Sequence, residues 1–267
     1  MKPISKFFAF VLISGVVAAG TSVVAAETPE GASTSAGESQ QATLPSVSSH
    51  EMTPVERVRE NRSWNYGPFV NYGVGLGDRS AYKFLWAGFH LSKPLSPVVH
   101  AGPFSGQFEF GGEVMPLWQS YTPAPHVVDY PCVGSEGQAT TCPLAFGGGT
   151  FRGVSLTPVI LRWNILTRSS RFQPWFQGAG GLIYTTHKYP PNIQSTPPVN
   201  GVPGIDGGTC VWNFTPQGGF GAHYFIHAKR SIDLGVNAVH ISSASLGDRN
   251  PGVNASIQIQ VGYTFWK

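Results

Sequence analysis

The sequence predicts an all-β protein, and more narrowly an eight-stranded antiparallel up-and-down transmembrane β-barrel. From Trp64 onward the chain consists of runs in which apolar and polar residues alternate with a period of two, as they do in strands with one apolar face. The runs reach or exceed the roughly 9–11 residues of a tilted membrane strand, whereas soluble strands average about five or six. Aromatic residues also gather at the ends of the runs, where the interfacial girdles of membrane barrels lie.

Eight such runs follow one another, each bounded by turn-forming residues. They span residues 64–76, 82–92, 105–121, 150–166, 172–187, 209–226, 230–246 and 252–266. The aromatic residues at their ends are Trp64, Tyr66, Trp118, Tyr121, Tyr184, Tyr263, Phe265 and Trp266. A soluble secreted sandwich that binds sugar would alternate in the same way, so the pattern by itself leaves that alternative open.

The lengths of the connections indicate which way the barrel faces. The long connections 122–149 and 188–208 alternate with the short connections 167–171 and 227–229. Bacterial membrane barrels keep their short turns in the periplasm and their longer loops outside. The sequence therefore predicts two long external loops, although the connection 93–104 is longer than this rule expects.

A leader precedes the predicted barrel. Two basic residues, Lys2 and Lys6, are followed by the apolar stretch 7–17 and by small residues suited to cleavage at 24–26. This arrangement is typical of a secretory signal peptide, so residues 1–26 are predicted to be removed on export.

A tether joins the leader to the barrel. Residues 27–60 are rich in Ser, Thr, Glu, Gln and Gly, which predicts a disordered periplasmic tether. Near its end, Thr53 can cap one helical turn that has Pro54 in its first position. Residues 61–267 are then the barrel, and the predicted location is the bacterial cell outer membrane.

Composition and charge exclude nucleic acid as a partner. The chain has 17 Lys and Arg against 14 Asp and Glu, and without Lys2 and Lys6 the balance is 15 to 14. Binding to nucleic acid needs a clustered basic face, which this balance does not favour. Charged residues are only 12% of the chain, against a usual share of about 25%. A β-protein with a large apolar exterior fits this composition.

The three cysteines allow more than one disulfide. Cys132 and Cys142, with nine residues between them in one predicted loop, can pair in an oxidising compartment. Either of them can pair with Cys210 instead, so the sequence leaves the pairing open. The spacing fits no zinc motif, and neither a metal nor another cofactor is predicted.

The interior of an eight-stranded barrel is filled by side chains, so the sequence does not predict a diffusion porin. Glu109 and Glu113 fall in step with Gly111 on the face opposite Phe108 and Phe110. We expect these two carboxylates to lie in the interior and to pair with an inward Arg, such as Arg162.

The seventh run carries His240 and Ser242 on an otherwise aliphatic face. Alternate strand residues share a face, so the imidazole and the hydroxyl are predicted to project outward, at the depth of the outer leaflet. A serine hydroxyl becomes a good nucleophile when an adjacent imidazole takes its proton. Residues two apart on a strand have Cα atoms about 7 Å apart, so twist or a bulge must bring the two groups together. The pair would equally suit a membrane interface. The aliphatic residues before it on the same face are Ile232, Leu234, Val236 and Ala238.

The segment "HISSASLGDRNPGVN", residues 240–254, resembles the signature of the outer-membrane lipid A 3-O-deacylases, the PagL-type acyloxyacyl hydrolases. In that family His-x-Ser-Asn-Ala is followed by Asn and Gly before the last strand. The resemblance implies a lipid-facing site that removes an ester-linked acyl chain from the lipid A of lipopolysaccharide. It implies His240 as general base, Ser242 as nucleophile, and backbone N–H groups after Ser242 as part of an oxyanion hole. The residues that fall at the family's oxyanion and loop positions are Ser243, Ala244, Asn250 and Gly252.

Two positions depart from the family's pattern. Ser243 replaces the Asn that helps to hold the oxyanion, and a hydroxyl donates less rigidly than an amide. The third catalytic position, the acid that orients the His, falls at Asn254, which cannot stabilise an imidazolium as a carboxylate does. The alternation would also turn Asn254 inward.

Two functions therefore stay open. The first is a carboxylic ester hydrolase of the outer membrane whose orienting acid is not identified and whose partner is lipid A. The second is a non-catalytic barrel with a structural or surface-contact role, carried by its long external loops. The sequence does not decide whether the protein forms a homodimer.

Overall fold

The structure, a computed structural model, describes residues 51–124, 126–134, 136–146, 150–189, 210–244 and 254–267. The predicted signal peptide, residues 27–50 of the predicted tether, and the loop residues Asn250 and Gly252 lie outside the described residues.

The described residues form one α-helix and eleven strands. In chain order they are α1 (Pro54–Asn61), β1 (Asn65–Gly75), β2 (Lys83–Pro94), β3 (Gly106–Tyr121), β4 (His126–Val133), β5 (Ala139–Phe146), β6 (Thr150–Ile165), β7 (Phe172–Thr185), β8 (Trp212–Phe214), β9 (Gln217–His227), β10 (Arg230–His240) and β11 (Ala255–Trp266). Short 3₁₀ turns at Gly77–Arg79 and Gly102–Phe104 lie in the β1–β2 and β2–β3 connections. The part of the chain described here contains no helix long and apolar enough to cross a membrane.

Eight of the strands pair antiparallel into a closed barrel. The order is β1, β2, β3, β6, β7, β9, β10, β11, and β11 returns to β1, where Val70 lies opposite Val261. This closure confirms the predicted eight-stranded barrel. It is incompatible with the soluble sandwich, which consists of two separate sheets.

The sixth run differs from its prediction because a proline interrupts it. β8 ends at Phe214 and β9 begins only at Gln217. Pro216, between them, has no N–H to donate to a strand ladder. The seventh run also ends as a strand at His240, before the predicted residue 246.

The first long connection contains a hairpin of its own. β4 and β5 pair along their whole length as a separate two-stranded sheet. A disulfide joins Cys132 and Cys142, whose Cα atoms are 5.8 Å apart. Of the pairings that the sequence left open, the structure therefore shows this one, and Cys210 stands outside it.

The outside of the barrel is an apolar surface. Outward-facing side chains alternate with buried ones along β1 and β11, and the outward ones include Val70, Tyr72, Ile259 and Val261. Water would destabilise so large an exposed apolar surface, whereas a bilayer solvates it. The arrangement is that of a barrel that spans a membrane.

Some of the aromatic residues predicted to form the interfacial girdle are exposed on the outer surface, but two are not. Trp64, Tyr66 and Phe265 are exposed at the strand ends, but Trp118 and Trp266 are buried in the interior. For Trp118 the reason is a bulge, since the β3–β6 register shifts between Met115 and Trp118. The extra residue moves every later side chain of the strand to the other face.

A hydrogen-bond chain of charged and amide side chains crosses the middle of the interior. Arg162 Nη1 lies 3.2 Å from Glu109 Oε1, which confirms the predicted pairing for Glu109, whereas Glu113 is buried without this contact. Arg162 Nη2 donates to Gln177 Oε1 at 2.8 Å, and Gln177 Nε2 donates to Asn237 Oδ1 at 3.0 Å. Asn237 Nδ2 then donates to Gln260 Oε1 at 3.0 Å. Four strands are thus linked through the core to β3.

Both ends of this polar layer are closed by apolar groups. At the end where β10 finishes, which we call the outer end, Val239 and Ile241 join an aromatic cluster under Tyr189. At the opposite end, Val55 and Val58 of α1 pack with Phe225 and Trp266. Since the short connections β6–β7 and β9–β10 lie at the α1 end, this end corresponds to the periplasm. The remaining members of the outer cluster are Phe69, Tyr82, Phe84, Trp86, Met115, Trp118, Phe151 and Ile183.

The helix α1 is fixed by its own sequence. Thr53 and Glu56 form a capping box, in which Glu56 N donates to Thr53 Oγ1 at 3.3 Å and Thr53 N donates to Glu56 Oε2 at 2.9 Å. Pro54 takes the first helical position, where no N–H is needed. The predicted helical turn at the end of the tether is therefore a complete helix.

Candidate active site

Strand β10 presents His240 on the outer surface of the barrel. Asp233 and Asn237 are buried, whereas Leu234 and Ala238, on the other face, are exposed. His240 is in step with the exposed set and is partly exposed itself. The structure therefore places the imidazole on the predicted, outward face.

Ser242 lies on the same outward face, just beyond the end of β10. It forms an isolated antiparallel bridge with Phe214, whose side chain is exposed. Ser242 N donates to Phe214 O at 3.0 Å, and Phe214 N donates to Ser242 O at 2.7 Å. His240 N donates to Pro216 O at 3.0 Å. These bonds hold the segment that carries both side chains against β8 and the start of β9.

The backbone turns sharply after Ser242. Ala244 has φ 50°, a left-handed conformation that few residues other than glycine adopt. In this conformation Ala244 N donates to Ser242 Oγ at 3.1 Å. A backbone N–H thus lies against the hydroxyl oxygen of Ser242.

Ser243 lies on the other face of the same segment. Its side chain is only 2% exposed and follows Val239 and Ile241 into the interior. The hydroxyl that replaces the family's Asn therefore does not share the outward surface with His240 and Ser242.

Asn254 also faces the interior, as the alternation predicts. It is 3% exposed, lies in step with the buried Ser256, and its backbone oxygen accepts from Ile241 N at 2.9 Å. Its side-chain Oδ1 accepts from Arg79 Nε at 3.1 Å. The amide at the family's acid position is therefore bound to the β1–β2 turn, and the wall of the barrel separates its face from that of His240.

Arg79 links this turn to an aromatic ring as well. Its guanidinium lies 5.4 Å from the ring centroid of Tyr82. Burial raises the pKa of the Tyr82 phenol, and the charge of Arg79 opposes this rise only in part. The phenol therefore stays neutral at physiological pH beside the charged guanidinium of Arg79.

An apolar groove lies on the outer surface beside His240 and Ser242. Its volume is about 310 Å³, and Phe214 and Pro216, the backbone partners of Ser242 and His240, form one side of it. We call it the β7 groove. It is lined by Pro158, Gly180, Gly181, Leu182, Phe214 and Pro216.

Small residues continue this depression around the barrel. Gly178 of β7 lies opposite Gly218 of β9, which lies opposite Ala238 of β10. A Cβ added at Gly178 or Gly180 would meet no other heavy atom within 4 Å. The outward side chains on β7, β9 and β10 are therefore small on the periplasmic side of His240. They leave an open depression in the outer surface across these three strands.

The carboxylates that the barrel strands carry do not face this surface. Glu109, Glu113 and Asp233 are all buried in the interior. Asp233 is held there by His223, whose Nδ1 lies 2.6 Å from Asp233 Oδ1, and by Ser231, whose Oγ donates at 2.8 Å. The interior contains a buried His–Asp–Ser set of its own, but the space beside it is about 10 Å³ and cannot hold a substrate.

The sequence reasoning missed the groove and the role of Arg79. The sequence signal for the groove was two glycine-rich stretches, residues 177–182 and 216–222, which lie on the neighbouring strands β7 and β9. Glycine at outward positions of a membrane strand indicates close approach of a ligand or of another backbone. Arg79 gave no signal, since its contact with Asn254 joins residues 175 positions apart.

Comparisons with known proteins agree with the resemblance seen in residues 240–254. The family described as "Lipid A 3-O-deacylase (PagL)" matches residues 134–264, a range that contains β5–β10 and all but the last two residues of β11. A search of curated proteins finds no match. The homodimer that the sequence left open gains no support from these comparisons.

Two solved structures are similar to this chain. The outer membrane enzyme PagL is 14% identical, and the similarity covers 74% of this chain and 98% of that chain with a TM-score of 0.39. The outer membrane protein OprG from Pseudomonas aeruginosa is 10% identical, with 77% of this chain and 95% of that chain covered and a TM-score of 0.33. The chain is therefore an outer-membrane β-barrel whose residues 134–264 are similar to the lipid A 3-O-deacylase (PagL) family.

Proposed function

We propose that this protein is an esterase of the outer membrane that removes an ester-linked acyl chain from lipid A or a related glycolipid. Ser242 acts as the nucleophile and His240 as the general base. The observation that carries the proposal is the position of the pair. Both residues lie on the membrane-facing surface at the outer end of β10, beside an apolar groove of about 310 Å³.

The reaction follows from the chemistry of the pair. His240 removes the proton of the Ser242 hydroxyl as Oγ attacks the ester carbonyl carbon. The tetrahedral intermediate collapses when the bond between the acyl carbon and the sugar oxygen breaks. His240 then gives its proton to the departing sugar oxygen. Water, deprotonated by His240, then attacks the acyl-enzyme, which releases a fatty acid and restores Ser242.

The turn after Ser242 supplies a hydrogen-bond donor for the oxyanion of the transition state. The N–H of Ala244 lies 3.1 Å from Ser242 Oγ before any substrate is bound. A fixed donor close to the nucleophile stabilises the negative oxygen that develops on the attacked carbonyl. We assign Ala244 this role through its backbone, and we assign Ser243 and Asn254 no direct contact with substrate, because both side chains face the interior.

The β7 groove explains why a membrane lipid is the substrate. The acyl chain lies along the glycines of β7 and β9, and its ester carbonyl then reaches Ser242 at the level of the external head groups. The apolar lining offers nothing that would recognise a charged or water-soluble ester.

The test is the acyl content of lipid A in cells that express the protein. Mass spectrometry should show lipid A that has lost one acyl chain with the wild type, and intact lipid A with Ser242→Ala. We expect the released fatty acid to fall by at least about 10³-fold, as when a nucleophile is removed from a serine hydrolase. Ser80→Ala, which changes an exposed serine at the same end of the barrel, is the matched control and should behave as the wild type.

One observation favours a non-catalytic barrel as the second candidate. The family's acid position holds Asn254, which is bound to Arg79 on the inner side of the wall. If lipid A keeps all its acyl chains with both the wild type and Ser242→Ala, while both proteins fold in the membrane, the enzyme is refuted and this second candidate stands.

A further inference from the structure

A second apolar groove runs along the outer surface over β1, β2, β3 and β6, and it borders the β7 groove at Pro158, which lines both. Its volume is about 650 Å³, within the range of about 300–1,000 Å³ usual for small-molecule sites. We call it the β3 groove. Its apolar and charged walls are formed by Trp64, Leu91, Lys93, Leu95, Phe110, Val114, Leu156 and Pro158, and Gly112 forms its floor.

One bulge in β6, at Pro158–Val159, produces the groove and shifts the pairing of β6 with both of its neighbours. The β3–β6 register shifts between Gly111 and Glu113, and the β6–β7 register shifts between Leu156 and Val159. Gly112, at the first shift, contributes no side chain to the outer face. Bulges are maintained features of barrels that re-aim side chains, so this depression is a built part of the wall.

The periplasmic end of the groove carries positive charge. Lys93 Nζ lies 5.1 Å from the ring centroid of Trp64, and Arg62 Nη1 lies 3.5 Å from the backbone oxygen of Leu95. Trp64, Lys93 and Leu95 all line the groove. Tryptophan, lysine and arginine are common at membrane interfaces, where the cations contact lipid phosphates.

The length of the groove matches one leaflet. Phe110 lies opposite Lys93, and Val114 is four residues further along β3, which corresponds to about 13 Å along a strand. One leaflet contributes about half of a hydrocarbon core that is about 30 Å thick. The groove therefore runs from the periplasmic interface to near the bilayer centre, while the β7 groove occupies the outer half.

The acidic residue at the far end does not oppose this charge. Glu113 also lines the groove, but its side chain is only 5% exposed and its carboxyl group is buried in the interior near Gln260. It also lies three residues from Phe110, which is about 10 Å along the strand from the level of Lys93.

We propose that the β3 groove is a binding site for an anionic phospholipid of the inner leaflet, with the phosphate at Lys93 and Arg62 and one acyl chain along Gly112. Neither His240 nor Ser242 lines this site. The lipid fills a depression that would otherwise interrupt the contact between barrel and bilayer, and the two cations select its head group.

Native mass spectrometry of the folded protein in detergent tests this proposal. With added dioleoylphosphatidylglycerol, the wild type should retain one lipid, and with dioleoylphosphatidylcholine it should retain at least about fivefold less, as expected for the contribution of even one cation to anionic lipid binding. Lys93→Gln should lower the retention of phosphatidylglycerol toward that of phosphatidylcholine. Val114→Trp, which fills the groove from its wall, should abolish the retained lipid.

Matched variants elsewhere on the barrel provide the controls. Val74→Trp places the same bulk on the outer face of β1, and Lys83→Gln removes a charge from the opposite end of β2. Both should bind phosphatidylglycerol as the wild type does. Leu156→Trp fills the groove from its other wall and replaces Val114→Trp should the latter not fold, as judged by heat-modifiable migration on gels. Equal retention of the two lipids, or loss of lipid with Val74→Trp as large as with Val114→Trp, would overturn the proposal.

Discussion

At the scale of single residues, the outward position of His240 and Ser242 has a physical origin in strand geometry. A strand offers two faces, and membrane contact makes one of them uniformly apolar. A polar residue that interrupts the apolar face must either sit at an interface or perform chemistry. Ser242 is held by backbone bonds to Phe214 and receives a hydrogen bond from Ala244, which is more than an interfacial residue requires.

Asn254 acts, in our proposal, as a positioning residue. Its side chain accepts from Arg79, and its backbone holds Ile241, the residue between His240 and Ser242. We therefore expect Asn254→Ala to lower lipid A hydrolysis by no more than about tenfold, whereas loss of a residue that orients the base costs about 10⁴-fold.

A double-mutant cycle separates these two roles. If Asn254 works through Arg79, then Arg79→Ala and Asn254→Ala share one effect, and the double variant should be no slower than the worse single variant. Rates of acyl release from lipid A in detergent would measure this. A loss of several orders of magnitude with Asn254→Ala, and a normal rate with Arg79→Ala, would show that the amide serves the imidazole directly.

At the scale of the elements, the break between β8 and β9 shapes the candidate site. Pro216 cannot donate to a ladder, yet its oxygen still accepts from His240 N. The barrel wall remains continuous, but its outer face has no side chains at Gly178, Gly180 and Gly218. A sheet of uniformly large outward residues would have no space for a chain beside Ser242.

Filling the β7 groove tests its role. Gly180→Leu adds a side chain where a Cβ meets no atom within 4 Å, so the barrel should fold normally. We expect hydrolysis of lipid A to fall about tenfold or more, since a blocked chain site loses the binding of several methylenes. Ala87→Leu, on the outer face of β2 and outside both grooves, is the control. Unchanged hydrolysis with Gly180→Leu would remove the groove from the mechanism.

At the scale of the whole molecule, the interior decides stability and excludes a channel role for the polar residues. Arg162 and Glu109 are both buried and bound to each other and to amides. Removing one partner leaves an uncompensated charge in a medium that solvates it poorly. The core network thus fixes the barrel and takes no part in the surface chemistry.

Glu109→Ala should therefore lower the free energy of unfolding by about 3–5 kcal/mol. Urea unfolding in detergent, followed by tryptophan fluorescence, measures it. The double variant Glu109→Leu with Arg162→Met removes both charges and should recover most of this loss. Glu60→Ala, at an exposed position of α1, should change stability by less than about 0.5 kcal/mol. A Glu109→Ala barrel as stable as the wild type would show that the pair contributes little.

Much of this architecture follows from sequence alone because its signals are local. The period of two marks each strand, the lengths of the runs mark a membrane span, and the segment 240–254 carries the family's pattern. The outward face of His240 and the inward face of Asn254 also follow from counting along a strand, since successive side chains alternate strictly.

Other features arise only when distant segments meet. A bulge at Pro116–Leu117 shifts the register of β3, so Trp118 turns inward against the count made along the sequence. The two grooves are spaces between strands, defined by which glycines face neighbouring glycines and prolines. Sequence by itself determined the barrel, its strands and the candidate pair, because each depends on residues close in the chain. The tertiary structure alone decided the grooves, the disulfide and the partner of Asn254, because these depend on pairing across the wall.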